Sequence, residues 1–216
     1  VLGGAERKLA EVFPYHVPIL GNSPYFSPDG KYLAISDKHS AAEPLSLFLL
    51  SIETGEKRRL TTPPGGTEDY YPAFSPNGRW LAFVRSTSLT TNDLYLMSLP
   101  SGELRQLTFD NVTIAGVAWT ADSREIVFSS RKDSSIFHLW RIAISGGEPE
   151  RIETVGKRVS SPAISSDGKR LAYTQNLGDN NIWRFEINGA GRVKTKTGLI
   201  DSTCFDYGPD YSPDGK

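Results

Sequence analysis

Acidic pairs are the first residues in this 216-residue chain whose types and spacing could do chemistry. Glu68-Asp69 precedes Tyr70-Tyr71-Pro72, and Asp206 precedes Tyr207-Gly208-Pro209 at an equivalent place further along. Such carboxylates invite a metal or a general acid/base reading. Asp179-Asn180-Asn181 forms a third polar loop, before an aromatic strand. None of them builds the Asp-x-Asp-x-Asp-Gly spacing of a calcium loop, so solvated loop acids are the expectation. Nucleophile chemistry has less support. There is no Gly-x-Ser-x-Gly elbow, and none of His16, His39 and His138 has a nearby Ser or Cys with a supporting acid. His16 and His39 read as loop residues, and His138 opens an aromatic strand where it should hydrogen-bond a loop. The single cysteine, Cys204, excludes an internal disulfide and a cysteine-based zinc cluster, and reads as a small hydrophobe beside Phe205. No Gly-rich phosphate loop follows a strand and opens a helix. Arg131-Lys132 and Lys157-Arg158 read as loop charges, and the sequon Asn111-Val112-Thr113 is a pattern frequent by chance. Neither catalysis nor a cofactor or metal is expected of these residues.

Composition narrows the partners. Lys plus Arg number 24 and Asp plus Glu 25, a net charge of -1 that offers no basic footprint for nucleic acid or anionic membrane. No apolar run approaches the roughly 18–20 residues of a spanning helix, and no signal-peptide pattern opens the chain. Direct nucleic-acid binding and membrane insertion by this segment are therefore not expected. The chain begins without Met and ends in Tyr-Ser-Pro-Asp-Gly-Lys, and so reads as a piece of something longer.

That terminal hexapeptide is also the probe for internal repeats. Tyr211-Ser212-Pro213-Asp214-Gly215-Lys216 recurs as Phe26-Ser27-Pro28-Asp29-Gly30-Lys31 and Phe74-Ser75-Pro76-Asn77-Gly78-Arg79. Degenerate copies are Trp119-Thr120-Ala121-Asp122-Ser123-Arg124 and Ile164-Ser165-Ser166-Asp167-Gly168-Lys169. The glycine column (Gly30, Gly78, Ser123, Gly168, Gly215) advances by 48, 45, 45 and 47 residues. Pro presets φ for a tight turn, Asp or Asn bonds its own backbone, and Gly accepts positive φ. Ser123 in a left-handed position would cost on the order of 1 kcal/mol, so the third turn is expected to differ.

Strands align around these turns. Leu33-Ala34-Ile35, Leu81-Ala82-Phe83, Ile126-Val127-Phe128 and Leu171-Ala172-Tyr173 follow them, with the large and small alternation of a sheet covered on both faces. A further strand carries Phe48, Tyr95, Trp140 and Trp183 at its aromatic position, expected in the core rather than as a ligand-stacking platform. A fourth ends Arg59-Leu60-Thr61 or Gln106-Leu107-Thr108, while the fourth repeat, from Asn188 to Ser202, is longer and reads less clearly as one strand. Four strands per unit, repeated radially, describe an all-β propeller. The spans expected are 11–61, 62–108, 109–153 and 154–203 for whole blades, with partial units at 1–10 and 204–216. A ring of at least six blades is the expected parent.

The Ser-Pro-Asp-Gly-Lys turn, the apolar and aromatic strands and the Leu-Thr ending resemble the TolB-like, WD-like propeller repeat of bacterial proteins. The resemblance covers nearly the whole chain. The opening Gly3-Gly4-Ala5-Glu6-Arg7-Lys8-Leu9 and the stretch Leu199-Ile200-Asp201-Ser202-Thr203 with Asp206-Tyr207 are similar to propellers that follow a winged-helix DNA-binding region in transcription regulators. That likeness implies a sensory part fused to a regulator, periplasmic or otherwise extracytoplasmic, with the cytoplasm as the alternative. Such propellers are fused to many partners, so the likeness speaks for fold more than for function.

In propellers the loops between blades and those between second and third strands share one face. The candidate recognition residues there are Tyr15, His16, Glu68, Asp69, Tyr70, Tyr71, Arg131, Arg158, Asp206 and Tyr207. A non-catalytic module binding a protein or peptide is the expected function. The alternative is the substrate-filtering propeller of a prolyl-oligopeptidase-type serine peptidase whose catalytic domain lies outside this chain. Tyr70 is expected to recognise the partner, and Tyr71, which abuts Pro72, to seal the blade junction. An arc of an unclosed ring leaves open faces and edges. These 216 residues alone should therefore aggregate or unfold without cooperativity; a soluble monomer with one sharp melting transition would contradict that.

Overall fold

The repeated Ser-Pro-Asp-Gly segment folds as a turn closed by its own side chains. Ser27 Oγ donates to Asp29 Oδ1 at 2.5 Å, and the Lys31 amide donates to the same oxygen at 3.0 Å. The Tyr32 amide donates to Ser27 Oγ at 3.0 Å. The same three bonds recur at Ser75 and Asn77, at Thr120 and Asp122, and at Ser165 and Asp167. Gly30, Gly78 and Gly168 have φ of 69°, 69° and 67°, and Ser123 takes the same left-handed place at 60°. The third turn is thus not the exception expected for it. Its strain is offset across the sheets, where Ser123 Oγ accepts the Asn77 amide at 3.1 Å.

The computed structural model describes residues 8–13, 24–88, 90–153, 158–176, 180–187 and 193–200. Among them lie four antiparallel sheets of four strands, each formed by strands consecutive in the chain. The first holds β1 (Tyr25–Phe26), β2 (Tyr32–Asp37), β3 (Ser46–Ser51) and β4 (Lys57–Arg59). The second holds β5 (Glu68–Phe74), β6 (Trp80–Ser88), β7 (Thr91–Ser98) and β8 (Leu104–Gln106). The third holds β9 (Ile114–Trp119), β10 (Glu125–Ser130), β11 (His138–Ala143) and β12 (Glu150–Arg151). The fourth holds β13 (Val159–Ile164), β14 (Arg170–Asn176), β15 (Asn180–Ile187) and β16 (Val193–Ile200). β16 is a single strand, longer than its counterparts, although its sequence read less clearly. Asn180 and Asn181 begin β15 instead of lying in a loop. First strands of successive sheets touch one another, β1 on β5, β5 on β9 and β9 on β13. The sheets fan out from that line as the blades of a β-propeller.

Both faces of each inner sheet are apolar because both are covered. Leu81, Phe83 and Met97 pack on Ala34 and Leu47 of the first sheet. Ala82, Val84, Leu94 and Leu96, on the opposite face, pack on Ile126, Phe128, Trp140 and Ile142 of the third. Leu171, Tyr173 and Phe185 of the fourth sheet cover Leu139. The aromatic column is core: Phe48 and Trp140 are buried, with Tyr95 and Trp183 packed at the edges. The Leu-Thr ending has a role too, since Thr61 Oγ1 and Thr108 Oγ1 accept the amides of Leu47 and Leu94, each at 2.9 Å.

The first strands carry a bulge that no local sequence pattern marks. Registers of β5 and β13 shift at Tyr71-Pro72 and Ser161-Pro162, and β9 pairs irregularly around Gly116. Tyr71, Gly116 and Ser161 all have positive φ, at 50°, 105° and 50°. A Cβ on Gly116 would lie 2.8 Å from Ser161 Cα, so the bulge brings neighbouring first strands together.

The turns generate a prediction about acid stability. Hydrogen bonds from Ser27, Thr120 and Ser165 hold the carboxyls of Asp29, Asp122 and Asp167 below the usual range. A depressed folded value gives stabilisation present above about pH 4 and lost as pH falls through the folded values. Asn77 already makes the same bonds without titrating. The triple variant Asp29→Asn, Asp122→Asn, Asp167→Asn should therefore fold at pH 7 and show a shallower loss of stability towards acid, measured by urea unfolding at stepwise pH.

Candidate functional site

The Ser-Pro-Asp-Gly turns and the hairpins after each third strand occupy one end of the sheets. At the other end lie the loops after each second strand and the links between sheets, carried on strand starts that differ from sheet to sheet. Glu68, Thr113 and Arg158 stand at equivalent places before or at the start of β5, β9 and β13. Ser46 and His138 open β3 and β11 opposite Asp37 and Ser130, and Asp93 holds the equivalent place in β7 opposite Arg85.

A buried ion pair sits at this end of the second sheet. Asp69 is fully buried, and Arg85, opposite it in register, grips it with two bonds, Nε to Oδ1 at 2.7 Å and Nη2 to Oδ2 at 2.9 Å. Burial works to lower the guanidinium pKa, but the hydrogen bond and charge of Asp69 outweigh it and raise it. The guanidinium also lies 5.0 Å from the Tyr95 ring centre and 5.5 Å from that of Phe83. Next to it, Asp93 accepts Thr108 Oγ1 at 3.0 Å and the Asn111 amide at 3.3 Å. Burial pushes the Asp93 carboxyl up, against the pull of those two donors. Asp93 thereby pins both sides of the link 108–111, whose Phe109 is 71 % exposed. Lys132 holds Asp110 of the same link at 2.5 Å.

The sequence-stated candidates separate under this geometry. Glu68 and Asp69 are strand residues and not loop acids: Glu68 is half-buried, and Asp69 is paired. Tyr70 was expected to face a partner, but it is 3 % exposed and lies in a core cluster that joins residues of the first, second and third sheets. Its hydroxyl donates to the Glu68 carboxylate. Tyr71 is buried in the same cluster. Arg131 and Arg158 are exposed, Arg131 stacking 4.4 Å from the Phe137 ring centre. Tyr15, His16, Cys204, Asp206 and Tyr207 lie outside the described residues, as do Lys157 and Asp179. His39 meets the Phe48 ring edge-on, and His138 is buried with Nδ1 2.9 Å from Arg151 Nη2. Phe109 was missed, although the residue after each Leu-Thr ending is Thr62 in one repeat and Phe109 in the next. No group of three or more His, Cys, Asp or Glu among the described residues could hold a metal, and no described helix is long and apolar enough to cross a membrane.

Removing one member of a buried pair strands the other charge, which costs about 3–5 kcal/mol, whereas an apolar replacement of both is often neutral. Asp69→Ala should therefore lower stability by about that amount. The double variant Asp69→Leu, Arg85→Met should recover most of it, as read by denaturant unfolding.

Known proteins share this architecture. The chain is 26% identical over 223 residues to the uncharacterized protein Atu1656 of Agrobacterium fabrum, covering 99% of this chain and 72% of that one. It is 28% identical over 162 residues to the uncharacterized peptidase YuxL of Bacillus subtilis, covering 71% of this chain and 22% of that one. The crystal structure of TolB from Acinetobacter baumannii superposes with a TM-score of 0.74 at 24% identity, covering 89% of this chain and 46% of that chain. The chain thus spans less than half the length of the latter two. A family model described as the TolB beta propeller domain matches residues 8–216. Repeat, turn and sheet agree with that match over nearly the whole length, and the chain belongs to the TolB beta propeller domain family.

Proposed function

We propose that this propeller is a non-catalytic recognition module that binds a protein or peptide through its loop end. One observation carries the reading: near-identical strands and turns support residues at the loop end that change from sheet to sheet. Glu68, Thr113 and Arg158 differ in charge at one equivalent place, while the Ser/Thr–Asp/Asn bonding of the opposite end is kept in all four sheets. Loops set on a rigid scaffold are the usual seat of recognition. Phe109 and Arg131 supply the exposed aromatic and guanidinium groups that dominate protein interfaces. The even charge of the chain supports a protein or peptide over nucleic acid.

The likeness to the peptidase YuxL favours a second reading, a propeller that filters peptides for a catalytic domain elsewhere in the same protein. One experiment separates the two. In the full-length protein, a partner is identified by photocrosslinking from position 109 and its affinity then measured. Phe109→Ala and Arg131→Ala should each lose about 1–2 kcal/mol or more of binding, and Lys31→Ala and Arg124→Ala, at the turn end, should lose none. Equal losses at both ends would contradict the proposal. Peptide hydrolysis by the full-length protein, abolished by replacing a Gly-x-Ser-x-Gly serine in its flanking sequence, would establish the filter instead.

A further inference from the structure

We propose that a cleft at the loop end, between the first and second sheets, binds the primary ammonium group of a peptide ligand with the Glu68 carboxylate as counter-ion. This rests on the recognition reading and names the chemistry of one subsite. The cleft has a volume of about 580 Å³ and is walled by the β2–β3 loop, the link 65–67, the start of β5 and the β6–β7 hairpin. That size is within the range of clefts that hold small ligands. Gly65 and Gly66 line it, and a Cβ at either would meet nothing within 4 Å, so the wall beside Glu68 is open.

The polarity of the walls selects the ligand. Arg59 engages the Glu43 carboxylate, and the Lys38 ammonium lies 5.0 Å from the centre of the Phe13 ring. Asp69, behind the wall, belongs to Arg85. Glu68 accepts only the Tyr70 hydroxyl, and no cation among the described residues pairs with it. The neighbouring hydroxyls spend their protons inward. Thr67 Oγ1 donates to the Pro64 carbonyl at 2.8 Å, Thr87 Oγ1 to that of Thr91 at 3.4 Å, and Ser86 Oγ to that of Ser88. Thr67 and Thr87 so engaged turn lone pairs outward, whereas Ser86 Oγ already accepts Asn92 Nδ2 at 3.0 Å, and a carboxylate offers only acceptors. Lys38 also lines the cleft with its ammonium turned to the Phe13 ring, and the acceptors that remain around the Glu68 carboxylate suit a group with three donors and a positive charge. An ammonium is that group, and a peptide carries it on a lysine side chain or at its amino terminus.

The test is a nuclear magnetic resonance titration of the full-length protein with four defined probes. Nα-acetyl-lysine N-methylamide presents the side-chain ammonium, and Ala-Ala amide presents the terminal one. The norleucine and glutamate counterparts of the first probe are the controls. Amide shifts are expected at residues 65–68 and 86–88 with one or both ammonium probes and not with the controls. The better of the two probes identifies the source. Glu68→Gln keeps an acceptor for Tyr70 and should weaken binding at least about tenfold. Thr87→Arg, at an exposed position, should block the cleft with its own cation. Absence of those shifts up to about 10 mM probe, equal shifts with norleucine, or undiminished binding by Glu68→Gln would overturn the proposal. Loss of the ammonium site with partner binding intact would remove this subsite alone, whereas the recognition reading fails only if partner binding ignores the loop end.

Discussion

Each inner sheet in this chain has two apolar faces, and neither can be hidden within the sheet itself. Burial therefore comes from the neighbours, and the neighbours must approach closely along the first strands. Gly116 marks the limit of that approach, because its missing side chain leaves room for the Ser161 backbone. The bulges at Tyr71, Gly116 and Ser161 bend the first strands at the same level in three sheets. Trp119 Nε1, donating 2.8 Å to the Ala73 carbonyl, and Ser129 Oγ, donating 2.6 Å to that of Val159, then tie one sheet to the next. Everything at the ends of the strands is placed by this packing.

The two ends use it differently. At the turn end every sheet repeats one small network of hydroxyl, carboxylate or amide, and backbone. It satisfies the amides exposed by the reversal and leaves little to vary. At the loop end, polar groups are buried singly and in different combinations. Asp69 with Arg85 serves the second sheet, Asp93 with Thr108 the link that follows, and His138 with Arg151 the third sheet. A buried pair such as Asp69–Arg85 adds little net stability once desolvation is counted, but it tolerates few alternative arrangements. Rigid strand starts with individual chemistry are what a recognition surface requires. Phe109 shows the outcome in one residue: a side chain left in solvent on a link whose backbone is held on both sides.

Much of this was legible in the sequence because it repeats. The strands Leu33-Ala34-Ile35 and their equivalents, the aromatic column and the turn motif are features of every unit, and their spacing alone calls for a propeller. Ser123 misled the reading because its compensation comes from Asn77, a residue of the adjacent turn that no local pattern connects to it. Tyr70 misled it because the residues ahead of Pro72 were read as a loop between blades. The proline sits instead at a bulge inside the strand, so the tyrosines before it are still core. The Asp69–Arg85 pair was hidden by separation, its members 16 residues apart and Asp69 beside a second acid, Glu68. Only the register of β5 on β6 brings them opposite.

The division of labour between the two ends is the central physical claim, and hydrogen exchange of the full-length protein with and without its bound partner tests it most directly. Protection on binding should fall on the loop end, in residues 38–44, 65–69, 86–91, 107–113 and 131–137. The turns at 27–31, 75–79, 120–124 and 165–169 should exchange at unchanged rates. Protection concentrated at the turns, with the loop end unaffected, would contradict it.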